Sequence, residues 1–594
     1  MELKPQLVKN LFPFVQKPTR YLGNEFGSSH DSNSESRHHT VLCYTGSYES
    51  GMQNATFEVL YHLLNSKTAG SADRCYAPGQ DAAAIFSEQS IPLFANDSRR
   101  DLRSFRILAF QIDDPLCFQA MLLMLHLSGL PLKSRDRDMT APLVIAYGKA
   151  MSNPEPIADF CDVVVSGSPH SALFTICNQP YAIQEDQPSR AEFLKSLASE
   201  GYYIPANYEP SYSAFEDFEG LRRIKGTTEE NTPPLQKATP VSELSFQPLI
   251  ALSDIGEANS SLDIPYVHPD GQRQLNSRLI PGSHSGFIER LHPASRKQLD
   301  RLGYEGLFPL FCETSSDSAM LWRLIKETAF AQGKPLRLTT DDAHLRTSDL
   351  DLSAFSKQLK EHPFSVAVCS ASPRLRQMLN INLRDHELVK LVQFLAGSGW
   401  KRIRLLFTIG LPTERDEDVA AISEMLTACK AKLSSFEGTE LAVQVNIFAP
   451  LPNTSLQWEQ MESKSVLQRR IRSLTIPDGV VADIADVESA RVRGALLRGD
   501  RRLGSVLEHL ISQTPCNPGS KQFSEDWQNA FAETGLDIAR FCRSRSLIDP
   551  LPWDLLGSSE KSNLKTDKLL AAANKLTQEN RDQVSLGASI GREP

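Results

Sequence analysis

Short apolar strands alternate with helical segments along most of the chain, and this alternation constrains the fold more than any other feature of the sequence. Between residues 41 and 200 the candidate strands are TVLCY (41–45), RILAFQI (106–112), LVIAY (143–147) and CDVVVSG (161–167). Apolar strands separated by helices are typical of a parallel sheet covered on both faces. The pattern predicts an α/β fold that starts with a doubly wound, Rossmann-like (flavodoxin-like) domain. Such domains bind ligands at the carboxyl ends of their strands.

The alternation resumes after about residue 276. The candidate strands are SRLIP (277–281), GLFPLFCE (306–313), PLRLTT (335–340), FSVAVCS (364–370), RIRLLFTIG (402–410) and LAVQVNIF (441–448). These units are too few for a closed eight-stranded barrel, so we predict an open, partial (β/α)6 barrel. Its active site is expected at the carboxyl ends of the strands.

A chain of 594 residues exceeds what one hydrophobic core usually supports. Changes in composition indicate the divisions: a stretch rich in Pro, Ser, Thr and acids, then a mostly helical stretch, then a polar end with a weak helix around LLAAANKL (569–576). We predict an N-terminal segment (1–40), the Rossmann-like domain (41–200), an irregular connection (201–275), the partial barrel (276–475), a helical C-terminal domain (476–556) and a polar, disordered tail (557–594).

The composition is that of an ordinary globular protein, with 41% hydrophobic and 23% charged residues. A net charge of −9 argues against a general polyanion-binding surface. The apolar stretch at 117–132 contains Gln119, His126 and Ser128, which favours a buried helix over a membrane span. Because the N-terminus has no signal-peptide pattern either, we expect a cytoplasmic protein.

The cysteines are scattered, which argues against a local metal motif. There are ten, at positions 43, 75, 117, 161, 177, 312, 369, 429, 516 and 542. The closest pair is 16 positions apart, so zinc ribbons and local iron–sulfur motifs are unsupported. We expect free, buried thiols.

Several segments are distinctive when they are taken together and in order. They include KPTRYLGNE (17–25), IPLFANDSRR (91–100), NPEPIADF (153–160), SPRLRQMLN (372–380), GWKRIRLLFTIGLPTERDED (399–418), LPNTSLQWEQ (451–460) and RGDRRLGSVLEH (498–509). In this order they resemble the cobalamin-binding-type radical S-adenosylmethionine (radical SAM) protein family. The resemblance covers most of the chain and implies a cobalamin-binding-type N-domain, a radical SAM barrel and a helical extension.

The same resemblance implies cofactors, but this chain departs from the family where they would bind. Family members hold a 4Fe-4S cluster with a CxxxCxxC loop after the first barrel strand, and S-adenosylmethionine binds the open iron. The matching region here, 271–305, contains no cysteine. In ETSSDS (313–318), Asp317 is a remnant of the acidic residue that meets the methionyl amino group, while Cys369 replaces another acidic residue. No catalytic residue and no metal ligand is predicted.

The cobalamin loops depart from the family as well. Tyr147-Gly148-Lys149 replaces a Gly-Gly-Pro loop, and GSPHS (167–171) replaces a Gly-Glu-rich turn. The N-domain has no DxHxxG motif, so a histidine-ligated cobalamin is unsupported.

IGLPTE (409–414) admits two interpretations. Gly410 would let the backbone approach a flat adenine, Pro412 would fix the turn, and Glu414 would begin an acidic helix start capped by Thr413. These three residues and Asp317 are the predicted cofactor-binding residues. The alternative, which we favour, is an ordinary strand-to-helix joint.

A second candidate is the arginine-rich stretch RVRGALLRGDRRLG (491–504). Its arginines, which could contact RNA phosphates, are Arg491, Arg493, Arg498, Arg501 and Arg502. The alternative, which we favour, is a solvated helix face paired with Asp500 and nearby acids.

The sequence therefore leaves two functions open. The favoured hypothesis is a cluster-free homologue that acts through binding or assembly. The alternative is an S-adenosylmethionine-dependent radical or transfer enzyme, acting on RNA or another macromolecule, with a non-standard site. Cys312 and Cys369, both predicted near strand ends, are the cysteines that such a site could use.

Overall fold

The computed structural model describes residues 9–23, 25, 28, 38–52, 54–67, 71–166, 169–179, 181, 189–224, 262–265, 336–340, 363–379, 381, 383–454, 456–511 and 521–557. Two parallel sheets, a hairpin and a group of C-terminal helices lie in this part of the chain. Within it, no helix is both long and apolar enough to cross a membrane.

The first sheet consists of parallel strands: β1 (His38–Tyr44), β2 (Ser71–Tyr76), β3 (Ile107–Gln111), β4 (Leu143–Tyr147) and β5 (Val163–Val165). Their spatial order is β2-β1-β3-β4-β5, the flavodoxin-like order, which reverses direction between β1 and β3. All residues of β3 and β4 are buried, since both faces of the sheet carry a packed core. The predicted doubly wound domain is confirmed.

The helices of this domain are α1 (Tyr48–Met52), α2 (Ala55–Lys67), α3 (Gln80–Glu88), α4 (Phe118–Leu127), α5 (Pro169–Cys177) and α6 (Arg190–Ser199). α4 is the apolar stretch, and most of its side chains are buried in the core, as predicted. α6 starts with a capping box: the Ser189 hydroxyl accepts from the Glu192 N–H at 3.3 Å, and the Glu192 carboxylate accepts from the Ser189 N–H at 2.8 Å.

An antiparallel hairpin follows, formed by β6 (Tyr208–Tyr212) and β7 (Phe218–Arg223). It lies within residues 201–275, for which we predicted an irregular connection. Its strands are short and only partly buried. They therefore lack the apolar run on which the strand predictions relied.

The second sheet has parallel strands in sequence order: β8 (Leu262–Pro265), β9 (Leu336–Thr340), β10 (Pro363–Cys369), β11 (Arg402–Ile409), β12 (Glu440–Ile447) and β13 (Val480–Ile484). Its helices are α7 (Pro373–Met378), α8 (Asp385–Gly397), α9 (Asp416–Leu433) and α10 (Lys464–Ser473). Sequential parallel strands covered by helices are the arrangement of a partial barrel, as predicted.

The helix α8 shows how the outer layer of this sheet forms. Leu388, Leu391, Val392 and Leu395 recur at helical spacing and are buried. They belong to one core with the buried side chains of β10, β11 and β12. This packing leaves the opposite face of the sheet for other contacts.

The strand predictions for the second sheet were partly right. β9 to β12 lie where the sequence predicted them, whereas the predicted strands 277–281 and 306–313 fall outside the described residues. β8 and β13 were not predicted. No residue of β13 is buried, so this strand lacks the buried apolar run that marks its neighbours.

The C-terminal helices are α11 (Val487–Arg498), α12 (Leu503–Leu510), α13 (Lys521–Glu533) and α14 (Ile538–Cys542). Leu496, Leu507 and Trp527 from these helices belong to the same hydrophobic core as Phe110 and Leu122 of the first domain. The C-terminal helices are therefore packed against the N-terminal domain.

Candidate functional site

The inner face of the second sheet is polar near its carboxyl end. Along β11, buried residues alternate with half-buried ones, and the half-buried set includes Arg404 and Thr408. The register pairs Thr408 with Asn446 of β12, so their side chains share a face. Gln444 lies two positions earlier on that face and donates to the Asn446 side-chain oxygen at 3.1 Å. These residues were missed by the sequence analysis, although the polar alternation in RIRLLFTI signals them.

β11 ends in a turn that requires a glycine. Gly410 has a φ of +80°, which disfavours other residues. A Cβ atom here would also lie 2.9 Å from Cδ2 of Leu467 in α10. Both the backbone conformation and the packing therefore explain this glycine without a ligand.

The Glu414 carboxylate hydrogen-bonds across the same turn, on its buried side. It is buried, and its Oε2 accepts from the Gly410 N–H at 2.6 Å and from Arg470 Nη1 at 3.0 Å. Arg470 Nη2 also donates to the Glu414 carbonyl at 2.6 Å. Burial raises the pKa of Glu414 to about 7, while the Gly410 N–H and the Arg470 charge act in the opposite direction. These contacts support the interpretation of the segment as a strand-to-helix joint.

Thr413 does not cap the following helix, so that prediction is wrong. α9 begins at Asp416, and the Asp418 carboxylate accepts from the Arg415 N–H at 2.8 Å at its start. Thr413 instead has a φ of +62°, and its hydroxyl accepts from Arg374 Nη1 at 3.0 Å. The arginine of the SPRLR segment thus fixes the turn from the neighbouring strand connection.

The other predicted cofactor-binding residues divide between the described and undescribed parts of the chain. Pro412 is half-buried in the turn, next to Gly410. Asp317 lies outside the described residues, as does Cys312. Cys369 ends β10 with a φ of +62° and is half-buried. Binding of a cofactor by any of these residues stays a prediction.

A second polar site lies at the carboxyl end of the first sheet, where the strand order reverses. Asp113, just after β3, accepts from Asn54 Nδ2 at 3.1 Å and from Gln111 Nε2 at 2.9 Å. Its other oxygen accepts from the Lys149 N–H at 3.3 Å. The carboxylate thereby joins the starts of two helical segments to the sheet at the place where doubly wound domains bind ligands.

Three buried polar atoms at this edge have no hydrogen-bond partner among the described residues: Gln111 Oε1, Tyr147 Oη and His170 Nε2. Gln111 and Tyr147 are register partners at the ends of β3 and β4, so their side chains lie on one face. His170 lies in the first turn of α5, just beyond β5. Unpaired buried polar groups are costly and therefore rare. Sequence patterns cannot reveal this group, since its members come from three separate connections.

The charge state of this edge favours neutral partners. Burial lowers the pKa of His170 to about 4, so its imidazole is neutral at pH 7. Burial also raises the pKa of Tyr147 far above its ordinary value, with a further contribution from Asp113. The unpaired atoms of Tyr147 and His170 are thus neutral, while the Asp113 carboxylate beside them already accepts hydrogen bonds from Asn54, Gln111 and Lys149. These unpaired atoms fit amide or hydroxyl groups, whereas the sequence lacks the DxHxxG motif of a histidine-ligated corrinoid.

The arginines of residues 491–504 hold the C-terminal helices in place. Arg501 is nearly buried and donates to Glu155 Oε2 at 2.8 Å and to the Tyr203 hydroxyl at 3.1 Å. Arg498 is fully buried and donates to two backbone carbonyls, of Glu459 and Arg543. These contacts all lie within the chain.

The remaining members of this stretch make similar contacts. Arg493 pairs with Asp114 at 3.0 Å, and Arg502 pairs with Asp500 at 2.7 Å while stacking over Tyr212. Arg491 is half-buried on the same helix. Contacts within the chain therefore account for four of these arginines, and Arg502 makes the predicted pair with Asp500. Contact of this stretch with RNA stays a prediction.

The described cysteines are free, as expected. Within the described part of the chain, no group of three or more His, Cys, Asp or Glu residues could hold a metal ion. The cysteines lie in different cores: Cys43 and Cys161 in the N-terminal core, and Cys429 in the core of the second sheet.

Comparisons with known proteins agree with the fold of the first domain. Residues 56–205 match the sequence model of the N-terminal domain of radical SAM proteins. An uncharacterized protein of Methanocaldococcus jannaschii, MJ0966, is 24% identical over 157 residues, which are 26% of this chain and 34% of that protein. The chain thus spans about a third of the length of this curated relative.

Two solved structures are also similar. TsrM from Kitasatospora setae, a radical S-adenosylmethionine methyltransferase solved with cobalamin and a [4Fe-4S] cluster, has 11% identity and a TM-score of 0.39, covering 68% of this chain and 71% of that chain. OxsB, a cobalamin-dependent S-adenosylmethionine radical enzyme, has 12% identity and a TM-score of 0.39. The match covers 94% of this chain and 82% of that chain. Structural similarity this low says nothing about the activity of this chain.

The similarity to the radical SAM family model lies in the N-terminal domain. The matched segment starts in α2 and ends beyond β5 and α6, so it includes most of the first sheet and its helices. It is through this domain that the chain is similar to radical SAM proteins.

Proposed function

We propose that this radical SAM family protein lacks the cysteine-held cluster and acts in the cytoplasm by binding or assembly. The observation that carries the proposal is the spacing of the cysteines over the whole sequence, where the closest two are 16 positions apart. A four-iron cluster held by one loop needs three closely spaced thiolates. Region 271–305, which corresponds to that loop, has none.

The turn after β11 supports the same proposal. Gly410 and Glu414 are each accounted for by contacts within the chain, namely packing against Leu467 and pairing with Arg470. A turn that is already satisfied needs no cofactor to be stable. Residual S-adenosylmethionine binding through Gly410, Pro412, Glu414 and Asp317 is therefore the alternative. Isothermal titration with S-adenosylmethionine or S-adenosylhomocysteine tests it, and we expect no binding heat.

The carboxyl end of the first sheet is our candidate for the binding function. Gln111, Tyr147 and His170 present three buried atoms that lack a partner in the described part of the chain. Hydrogen-bonding them would recover free energy that burial has cost, on the order of 1–3 kcal/mol for each group. Because these atoms are neutral, the proposed ligand carries uncharged amide or hydroxyl groups there.

Anaerobic reconstitution tests the cluster-free proposal. The full chain is incubated with iron, sulfide and reductant, passed through gel filtration, and assayed for iron and for cluster absorbance. We expect no iron above that retained by a variant with both Cys312→Ser and Cys369→Ser. Stoichiometric iron that this double variant loses would contradict the proposal and support the enzyme alternative.

A further inference from the structure

A groove between the C-terminal helices is lined mainly by apolar side chains. It has a volume of about 350 Å³ and lies between α11, α13 and α14. Val492, Trp527, Phe531, Leu536 and Ile538 line it. A groove between helices with such a lining is the kind of surface that receives the apolar face of another helix.

We propose that this groove binds a segment of the same chain, residues 569–576 (LLAAANKL). The sequence continues for 37 residues after Gly557. Trp553 and Leu556, just before this point, belong to the same hydrophobic core as Trp527 and Phe531 of the groove. Eleven residues separate Gly557 from Leu569, and an extended chain of that length spans up to roughly 36 Å. This length of chain is what the segment has available to reach the groove.

The apolar pattern of the segment fits a docked helix. Leu569, Ala572, Ala573 and Leu576 stand at spacings of three, four and seven residues from the first leucine. This spacing puts them on one face of a helix. A helix this short is marginal in water by itself and gains its stability from packing, which the groove would supply.

The charges of the groove and the segment are complementary. Glu488 and Asp537 are among the described residues that line the groove, and none of those residues is basic. Glu488 already pairs with Lys464 of α10, so Asp537 is the acid that a cation would meet. In the segment, Lys568 and Lys575 are seven positions apart and lie on one flank of the apolar face. A helix with leucines in the groove would therefore bring lysines towards its acidic lining, which selects this segment over an acidic one.

The test uses a labelled synthetic peptide of residues 561–580 and fluorescence anisotropy. We expect the peptide to bind a chain that ends at Gly557. The full chain should bind it at least tenfold more weakly, because its own tail competes at a high effective concentration. A peptide with Leu569→Asp and Leu576→Asp should not bind either protein.

Substitutions on the protein locate the binding surface. Ala532 lines the groove and is exposed, so Ala532→Arg in the truncated chain should weaken peptide binding at least tenfold without unfolding the helix. Ala84→Arg, at an exposed alanine of α3, is the matched control and should have no effect. Equal binding to the full and truncated chains, or no effect of Ala532→Arg, would overturn the proposal. So would dimerisation of the truncated chain through the groove, which would assign it to a second copy.

Discussion

At the scale of single residues, the most informative side chains are buried polar groups, and they divide into two kinds. Tyr203 is buried, bonds Glu155 and accepts from Arg501 at 3.1 Å. Tyr147 is equally buried, but its hydroxyl has no partner among the residues that the structure describes. The first kind stabilises the fold, while the second costs stability and therefore marks the proposed binding edge.

These two tyrosines give a matched test of that difference. Tyr147→Phe removes an unsatisfied hydroxyl, so we expect the free energy of unfolding to stay the same or rise by about 1 kcal/mol. Tyr203→Phe removes a satisfied one and should lower it by about 1–3 kcal/mol. Chemical denaturation of both variants measures the difference. Equal destabilisation by the two substitutions would mean that Tyr147 is satisfied after all.

Two glycine substitutions, one at Gly410 and one at Gly535, separate the cost of backbone strain from the cost of steric contact at the turn after β11. Gly410→Ala should destabilise the protein by about 1–3 kcal/mol through its positive φ, with a further cost from the contact with Leu467. Gly535 has a similar φ of +67° but nothing within 4 Å of its added Cβ. Gly535→Ala therefore measures strain alone. Thermal denaturation should show the larger loss for Gly410→Ala, and equal losses would remove packing from the explanation.

At the scale of elements, the joint between β11 and α9 is held by arginines from two neighbouring connections. Arg374 bonds Thr413, and Arg470 bonds Glu414. The sequence identified the joint, because a strand, a Gly-Pro break and an acidic helix start are local signals. It missed the correct helix start, since the contacts of Thr413 and Asp418 depend on Arg374, which is distant in sequence.

The joint should make stability depend on pH. Burial raises the pKa of Glu414 from 4.5 in the unfolded chain to about 7 in the folded one. The folded state then holds a proton that the unfolded state has released. The stabilisation is therefore complete below about pH 4.5 and is lost as the pH rises to 7.

The comparison with Glu414→Gln isolates this effect. Between pH 4.5 and 7 the wild type should lose on the order of 1–3 kcal/mol more unfolding free energy than the variant, whose side chain does not titrate. Urea denaturation over this range measures both proteins. Parallel pH profiles for the two would show that the carboxylate stays charged beside Arg470.

At the scale of the whole molecule, distant motifs meet at one interface. Arg501 in RGDRRLG pairs with Glu155 in NPEPIADF, and Asn153 donates to the carbonyls of Leu497 and Gly499. The sequence showed that both motifs are distinctive but could not pair them, because the pairing spans 346 positions. For the same reason Arg498 and Arg501 looked solvated in the sequence, whereas the structure shows Arg498 buried and Arg501 nearly so.

Removal of the buried pair should cost far more than removal of an exposed one. Arg501→Gln leaves Glu155 buried without its charge partner, and we expect a loss of about 3–5 kcal/mol. Arg493→Gln breaks a half-exposed pair with Asp114 and should cost only about 0–1 kcal/mol. Denaturation curves of the two variants give the comparison. A small effect of Arg501→Gln would mean that the C-terminal helices stay packed on the N-terminal domain without the Arg501–Glu155 pair.

The overall α/β class could be predicted from the sequence because parallel sheets give continuous apolar runs, such as those of β3 and β4. The strand β13 could not be predicted in this way, because its side chains are exposed or only half-buried at the end of the sheet. The edge group of Gln111, Tyr147 and His170 also escaped prediction. Only the fold brings these residues together, and no local pattern marks a missing hydrogen bond.

The most direct test of the central claim is reductive cleavage of S-adenosylmethionine. The reconstituted full chain is incubated with S-adenosylmethionine and dithionite, and 5′-deoxyadenosine is quantified by chromatography beside a radical SAM enzyme that carries CxxxCxxC. Because the chain has no closely spaced cysteines, we predict no product above the protein-free control. Product that disappears in the Cys312→Ser, Cys369→Ser variant would contradict the account and establish a cluster-dependent enzyme.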